Sequence, residues 1–399
     1  MHFDVIICGA GLIGLSMANA LDQAGLKCAI VEQRIIESNL PDTYSNRVSA
    51  LTELSQKWLE HTKAWESIQP YACAYQSMYV YDGEGTQHVE FSASDLPCEH
   101  LGHIVENDRM IDALIQNMGN LERFEHTKVL SISDLSTDNL RTIELDNGQF
   151  LTTELIIGAD SKHSTIRNLA KLPTKTWSYN QTAIVSTVKV KTPEQFSDQP
   201  NKTCWQNFTY CGPLAFLPLH DQTEHSNEES FYSIVWSVDD EQLESFGQKS
   251  LIDQLRLHAP KQLGEILEVC DQAQFPLNAL ACQSYIQAGI AIIGDAAHSI
   301  HPLAGQGANL GFADAKALFE TIVSAKENEL NLGHPTLLKR FERNRKLPNQ
   351  IMQGAMEGFK RGFKGQNPMQ VLIRNEAMAL TNHPLFPKDW ILKHAMARD

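Results

Sequence analysis

The 399-residue chain is notable first for what it has little of. No apolar run approaches the ~18 residues that a membrane-spanning helix needs, so an integral membrane helix is not expected. The N-terminus enters a strand-like run by Phe3, with no basic region followed by an apolar one, and no signal peptide is expected. Positive charge is scarce: 33 Lys and Arg stand against 48 Asp and Glu, a formal net charge of −15. Nucleic acid is therefore not an expected partner, since binding it needs a basic face. The same balance repels an anionic membrane on average, although a local patch can still dock. The eight cysteines are scattered, with no CxxC pair, which points to a reducing, cytoplasmic compartment. There is no GxSxG elbow, no P-loop, no internal repeat and no low-complexity tract. His298 and His301 form an HxxH pair, but without the further ligands zinc requires, so no metal is expected.

What is present begins at the N-terminus. Residues 3–8 (FDVIIC) read as a buried strand, followed by GAGLIG and a helix through Leu15, Ala18 and Leu21 that stops near Gly25. A second strand over residues 27–31 ends at Glu32. This is the βαβ fingerprint of a dinucleotide site in its required context. Gly9 permits the tight turn, Gly11 removes a side chain from the path of a pyrophosphate, and Gly14 lets helix and strand close up. Glu32 is placed to accept hydrogen bonds from ribose hydroxyls. The pattern alone does not separate FAD from NAD.

The stretch over residues 290–314, IAIIGDAAHSIHPLAGQGANLGFAD, reads as strand, turn, loop and helix. The strand end presents the carboxylate of Asp295, and the helix start near Gly307 presents free backbone N–H groups. Between these lie further turns and sheets. Residues 45–51 (SNRVSAL) read as the start of a helix, with Arg47 either at a phosphate or flavin edge or simply on the surface. Asn107 sits where a strand passes into a helix, as a cap or a ligand contact. Hairpins are expected over residues 77–91 and, around Asn147-Gly148, over residues 140–158. The latter strand runs on to Asp160. Residues 183–190, 204–219 and 231–238 are β-rich and aromatic. Phe208, Phe216, Leu217, Pro218 and Trp236 are candidates for a pocket wall, against the plainer reading that aromatics of this kind fill a core. Residues 251–269 read as helical. Gly354, Gly358 and Gly362 are spaced four apart near the C-terminus, as close helix packing or a partner surface would use.

Three segments line up together: GAGLIG with Glu32, IIGADSKHSTIR over residues 156–167, and GDAAHSIHPLAGQGANLGFADA over residues 294–315. Together they resemble the FAD-dependent aromatic hydroxylases of the para-hydroxybenzoate hydroxylase type. With HLGHIVEN at residues 100–107 and AFLPL at 215–219, the chain is similar to the ubiquinone-biosynthesis branch, which hydroxylates polyprenylated phenols. The resemblance implies an α/β fold: a Rossmann-like FAD-binding domain, a β-sheet substrate domain and C-terminal helices. The expected partition is residues 1–75, 100–175 and 280–345 for FAD, 76–99 and 176–279 for substrate, and 346–399 as a helical tail.

By position, the resemblance places Gly9, Gly11, Gly14 and Glu32 on the adenosine diphosphate part, and Arg47, Asn107, Asp160 and Asp295 on the cofactor. Pro302, Gly305, Gln306 and Gly307 would lie beside the isoalloxazine. Where the family has Gly after Asp160, this chain has Ser161. The implied reaction uses FAD, O2 and NAD(P)H or another electron donor, and no second GxGxxG offers a separate nicotinamide domain. No catalytic acid–base residue is singled out. A polyprenyl tail resists exposure to water by ~0.8 kcal/mol per CH2, so a ubiquinone-biosynthesis protein complex or peripheral contact with the inner membrane is expected. The alternatives are a hydroxylase of a soluble aromatic, a prenyl reductase, or a flavin-bound subunit without catalysis.

Overall fold

A computed structural model describes the chain except residues 42, 84–86, 97, 194–201, 221–228, 248, 302–304, 306, 364–374, 377, 379–380 and 382–399. The first half runs β1 (His2–Cys8), α1 (Leu12–Gln23), β2 (Cys28–Val31), β3 (Val48–Leu51), α2 (Glu53–His61), α3 (Trp65–Ile68), β4 (Cys73–Tyr75), β5 (Ser77–Asp82), β6 (His88–Ser92), β7 (Gly102–Glu106), α4 (Asn107–Gln116), β8 (Glu122–Phe124), β9 (Val129–Ile132), β10 (Arg141–Leu145), β11 (Phe150–Gly158) and α5 (Thr165–Leu169). It continues with β12 (Thr174–Lys191), β13 (Thr203–Thr209), β14 (Gly212–Pro218), β15 (Glu229–Asp239), α6 (Asp240–Phe246), α7 (Leu251–His258), β16 (Glu265–Cys282), β17 (Ile286–Gln287), β18 (Ile290–Ile292), β19 (His298–Ser299), α8 (Gly307–Glu327) and α9 (Pro335–Phe363).

The first sheet has β18, β11, β1, β2 and β8 side by side in parallel. Its strands are near-continuous apolar runs because helices cover them. Val5, Ile6 and Ile7 of β1 and Leu155, Ile156 and Ile157 of β11 are all fully buried. In register, Cys8 lies beside Gly158 and Gly158 beside Ile292. The C-terminal ends of β1, β11 and β18 therefore stand together, and those ends carry the three sequence motifs. In an open parallel sheet this edge is where ligands bind.

The second sheet is ordered β19-β16-β12-β15-β14-β13-β5-β6. Side chains alternate across it. One face, with Ile184, Val188, Phe216, Ile234 and Trp236, packs on Phe246 and Leu255 of α6 and α7. The other, with Cys204, Ala215, Leu217 and Leu219, packs on Ala50, Cys73 and Ile104 of the small sheet β3-β7-β4. The small sheet also lends Leu51 and Val105 to the core of the first sheet, which the end of β16 joins directly through Leu280 and Cys282.

Two readings made from sequence are corrected. Residues 45–51 do not begin a helix: Val48–Leu51 is β3, paired antiparallel with β7, and the helix starts only at Glu53 after the Thr52 cap. Nor is 251–269 one helix. It stops at His258, and Glu265–Cys282 is a long strand paired with β12. Many β16 side chains in the segment 265–276 are exposed, so the strand lacks the alternating apolar signature, and its pairing with a distant partner decides its conformation.

Candidate flavin site

Three of the predicted glycines differ in what requires them. Gly9 has φ +105°, and a Cβ there would lie 2.5 Å from the Ala159 carbonyl oxygen. A Cβ on Gly14 would lie 1.9 Å from the Gly9 carbonyl oxygen. Both are fixed by the protein's own packing. Gly11 is not: its Cβ would meet nothing within 4 Å, and its φ of −77° suits any residue. Gly307, at the first turn of α8, also faces open space. These are two cradles that a side chain would fill, both at helix N-termini, where unpaired N–H groups and the helix dipole favour an anion or an electron-rich edge.

The two cradles belong to one cleft. Ile13 of α1 packs against Gly294, and a Cβ on Gly311 would come within 2.7 Å of the Ile13 side chain. The absence of side chains at Gly294 and Gly311 lets α1, the turn before Asp295 and the first turns of α8 converge. Gly305 has φ +63° and stands over β3, its missing Cβ 3.1 Å from the Ala50 nitrogen. Asn309 then clamps α8 to the same strand. Its Nδ2 donates to Ala50 O at 2.7 Å, and its Oδ1 accepts from Thr52 N at 3.1 Å and Ser55 Oγ at 2.7 Å.

Asp295 is exposed to solvent yet closely surrounded by protein. Desolvation by the surrounding protein raises its carboxyl above the ordinary value, while His298, Arg47 and Lys162 act the other way. Arg47 is exposed and its guanidinium takes no partner among the described residues, so its five donors are available to a ligand. The segment holding it is fixed from behind. Asn107 donates its backbone N–H to Arg47 O at 2.9 Å, and its side-chain Oδ1 accepts from Ser49 Oγ at 2.7 Å. Asn107 is the first residue of α4 and does not cap it; Glu106 is the cap position, and it binds Ser45 N at 2.5 Å.

Two acids predicted as cofactor contacts are engaged by the protein. Glu32 accepts from Ala10 N at 2.7 Å and Arg34 N at 3.1 Å, so it braces the glycine turn. Asp160 accepts from Thr165 N at 2.6 Å and Ile166 N at 3.1 Å, closing the start of α5. Ser161, where the family pattern has Gly, sits at φ +64°. The backbone there adopts the left-handed conformation that glycine takes at no cost, and this chain enters it with a side chain. Pro302 and Gln306 lie outside the described residues.

Of the pocket-wall candidates, only Leu217 is established on the face toward Ala50 and Gly305. Phe216 and Trp236 belong to the core under α6 and α7, and Pro218, two residues on, shares the Phe216 face. Consecutive strand residues point to opposite faces, so Phe216 and Leu217 never line one wall together. Phe208 stacks on Phe363 of α9, ring centroids 3.9 Å apart.

Sequence reasoning missed the buried polar network behind the cleft. Asp314 is fully buried. Its Oδ2 meets His298 Nε2 at 2.5 Å and accepts from Gly294 N at 3.1 Å, and its Oδ1 accepts from Arg345 Nε at 2.8 Å and Asn349 Nδ2 at 3.1 Å. Burial pushes this carboxyl up, but His298 and Arg345 outweigh it and hold it at about 2. An acid on the apolar face of α8 was the available signal. His301 is fully buried, its Nε2 against Gln181 Oε1 at 2.8 Å and its N–H on the Tyr179 hydroxyl at 3.1 Å. The two histidines of the HxxH pair thus have separate partners.

The residues fit FAD: two glycine cradles at helix starts, a free arginine and an accessible carboxylate between them. A family model for the FAD binding domain matches residues 2–354. The 3-demethoxyubiquinol 3-hydroxylase of Escherichia coli is 32% identical, over 98% of both chains. The mitochondrial ubiquinone biosynthesis monooxygenase COQ6 of Xenopus tropicalis is 31% identical over 98% of this chain and 93% of its own. Among solved structures, PqsL of Pseudomonas aeruginosa superposes with a TM-score of 0.75 at 17% identity, over 93% of this chain and 98% of that one, a likeness of fold. The p-nitrophenol 4-monooxygenase PnpA of Pseudomonas putida gives 0.75 at 16% identity, over 99% and 97%. This chain belongs to the FAD-binding family of flavin-dependent aromatic hydroxylases.

Proposed function

We propose that this protein hydroxylates the ring of a polyprenylated phenol or benzoquinol in the formation of ubiquinone, with O2 as cosubstrate and NAD(P)H or another donor as reductant. The substrate reading comes from its relatives, a 3-demethoxyubiquinol 3-hydroxylase and a ubiquinone biosynthesis monooxygenase, each matched over nearly the whole chain. The observation in the molecule that carries it is the apolar face between the sheets. Leu217, Leu219, Phe231 and Val235 of the second sheet oppose Val48, Ala50 and Ile104 beside Gly305. A soluble aromatic acid would call for a cation on this face. Lys189, which pairs in register with Phe231, is tied to Glu229 by an ion pair.

FAD, when bound and reduced, supplies the O2 activation from which one oxygen enters the ring and the other leaves as water. The protein binds, orients and excludes water. Gly9, Gly11 and Gly14, with Arg47, would hold the pyrophosphate side, and Asp295 the ribityl chain. The N-terminal end of α8, with its positive dipole, would stabilise the negative charge that a reduced flavin carries. Asn309 fixes that end to β3. The apolar face keeps water from the reacting atoms. His301, buried and neutral, supports the loop that follows it and is not assigned a proton transfer.

We further propose the discontinuous FAD and substrate domains given above, and contact with a biosynthetic complex or with the membrane surface, since a polyprenyl tail must be delivered. Among the described residues no helix is long and apolar enough to cross a membrane. The test is quinone-intermediate profiling in a strain lacking this protein, alongside NAD(P)H oxidation by the purified flavoprotein with and without a prenylphenol. One accumulating prenylated precursor and coupled ring hydroxylation are expected. An unchanged quinone pool would remove the assignment, and uncoupled oxidation under every reductant would favour a non-catalytic flavoprotein.

A further inference from the structure

Helix α9 differs in charge from the rest of the molecule. Its 29 residues carry seven Lys and Arg against two Glu, a net of +5 in a chain of −15. The charges sort by direction. Those facing inward are used: Arg345 binds Asp314, Lys346 the carbonyl of Gln283, and Lys360 the carbonyl of Tyr179. Glu342 is turned in as well, accepting from Ser284 Oγ at 2.7 Å and Tyr285 N at 2.8 Å. Those facing outward are not used. Lys339, Arg340 and Arg343 are exposed and take no hydrogen-bond or ion-pair partner among the described residues.

The same outward face becomes apolar one turn later. Leu347 is 61% exposed and Ile351, four residues on, 63%. Pro348 lies exposed between them, and the strip continues uncharged through exposed Gly354, Ala355 and Gly358. Of the described exposed residues on α9, none is acidic. Basic residues beside projecting aliphatic ones are the composition that binds a lipid surface by charge and shallow insertion together. The helix is held to both halves of the fold, through Arg345–Asp314 at α8 and Phe363–Phe208 on the second sheet. A surface docked here lies alongside the sheet assigned to substrate.

We infer that the outer face of α9, from Lys339 to Ile351, docks on an anionic lipid bilayer. The inference deepens the proposed function, on which the need for a membrane rests, and its test uses no substrate, so the two can fail separately. The purified flavoprotein is sedimented with phosphatidylcholine vesicles and with vesicles containing about one third phosphatidylglycerol, at low salt and at about 0.5 M salt. Binding is expected to the anionic vesicles only, and to fall with salt. The triple variant Lys339→Gln/Arg340→Gln/Arg343→Gln should lose roughly 100-fold in partition, about fivefold per charge. Leu347→Gln/Ile351→Gln should lose at least about tenfold, by removing the inserted aliphatic groups. Both variants alter exposed positions, and unchanged flavin absorbance and melting confirm their fold. Equal binding to neutral vesicles, no binding to either kind, or wild-type partition by both variants would overturn the inference. So would loss of self-association in the Leu347/Ile351 variant by a protein that ignores vesicles, which would make the face a protein interface.

Discussion

The Arg167 guanidinium donates from Nη1 to the carbonyl oxygen of Ala296 at 2.9 Å, joining α5, the helix that follows β11, to the turn that presents Asp295. Its Nη2 donates to Lys162 O at 2.8 Å, and the side chain is buried. Two motifs 129 residues apart thus meet through one side chain, behind the cleft and not in it. Replacing Arg167 by Ala removes the main donor to the buried Ala296 carbonyl and should cost about 1–3 kcal/mol of stability. FAD should also be retained less tightly, because the Asp295 turn loses its brace. Denaturant unfolding and flavin titration of the same samples measure both.

The glycines separate ligand from scaffold. Gly11→Ala and Gly307→Ala add a methyl group to open space, so the apoprotein should melt within about 0.5 kcal/mol of wild type. FAD affinity should nevertheless fall tenfold or more, since the added groups occupy the cradles. Gly14→Ala should behave oppositely, destabilising the apoprotein itself, because its Cβ has no room beside the Gly9 carbonyl. Apoprotein melting curves beside FAD titrations distinguish the two classes.

Ser161 is held at φ +64° without being glycine. Ser161→Gly should remove the steric strain of that conformation. Set against the greater freedom glycine gives the unfolded chain, the net gain should be about 0.5–1 kcal/mol. Equilibrium unfolding in urea reads it directly. A loss of stability would mean that the serine side chain contributes something its backbone geometry does not reveal.

Acid should weaken the fold through its buried neutral histidines. Burial, with Lys360 nearby, lowers His301 to about 3, and burial, with His100 nearby, lowers His103 to about 4. An unfolded histidine titrates near ~6.5. Below that value the unfolded chain binds protons that the folded chain refuses. The stabilisation is therefore complete above pH ~6.5 and is lost as pH falls toward the folded values. Each histidine contributes about 1.4 kcal/mol per pH unit through that window. His301→Gln should flatten the slope of stability between pH ~6 and ~4 by about one proton, measured by urea unfolding across that range.

Much of the site was legible because its signals are local. A turn that needs positive φ at Gly9, a helix start at Gly307 and an acid at a strand end each leave a mark within a few residues. The β1–α1–β2 unit and the strand–turn–helix around Asp295 follow from such marks. Val48–Leu51 and Glu265–Cys282 were misread because their conformation is set by partners far away, β7 and β12, and not by their own pattern. Phe216 and Trp236 looked like a pocket wall because composition does not say which face of a sheet meets a helix and which meets a cofactor.

From the residues alone came the nucleotide turn, the second glycine loop and, through resemblance, the flavin. Backbone sterics and short-range hydrogen bonding fix those features wherever they occur. Only the tertiary structure decided that Glu32 and Asp160 brace turns, that Asp314 gathers His298, Arg345 and Asn349, and that α9 turns its unpaired cations outward. These depend on which long-range surfaces meet, and burial of one side chain against another is a property of the folded whole.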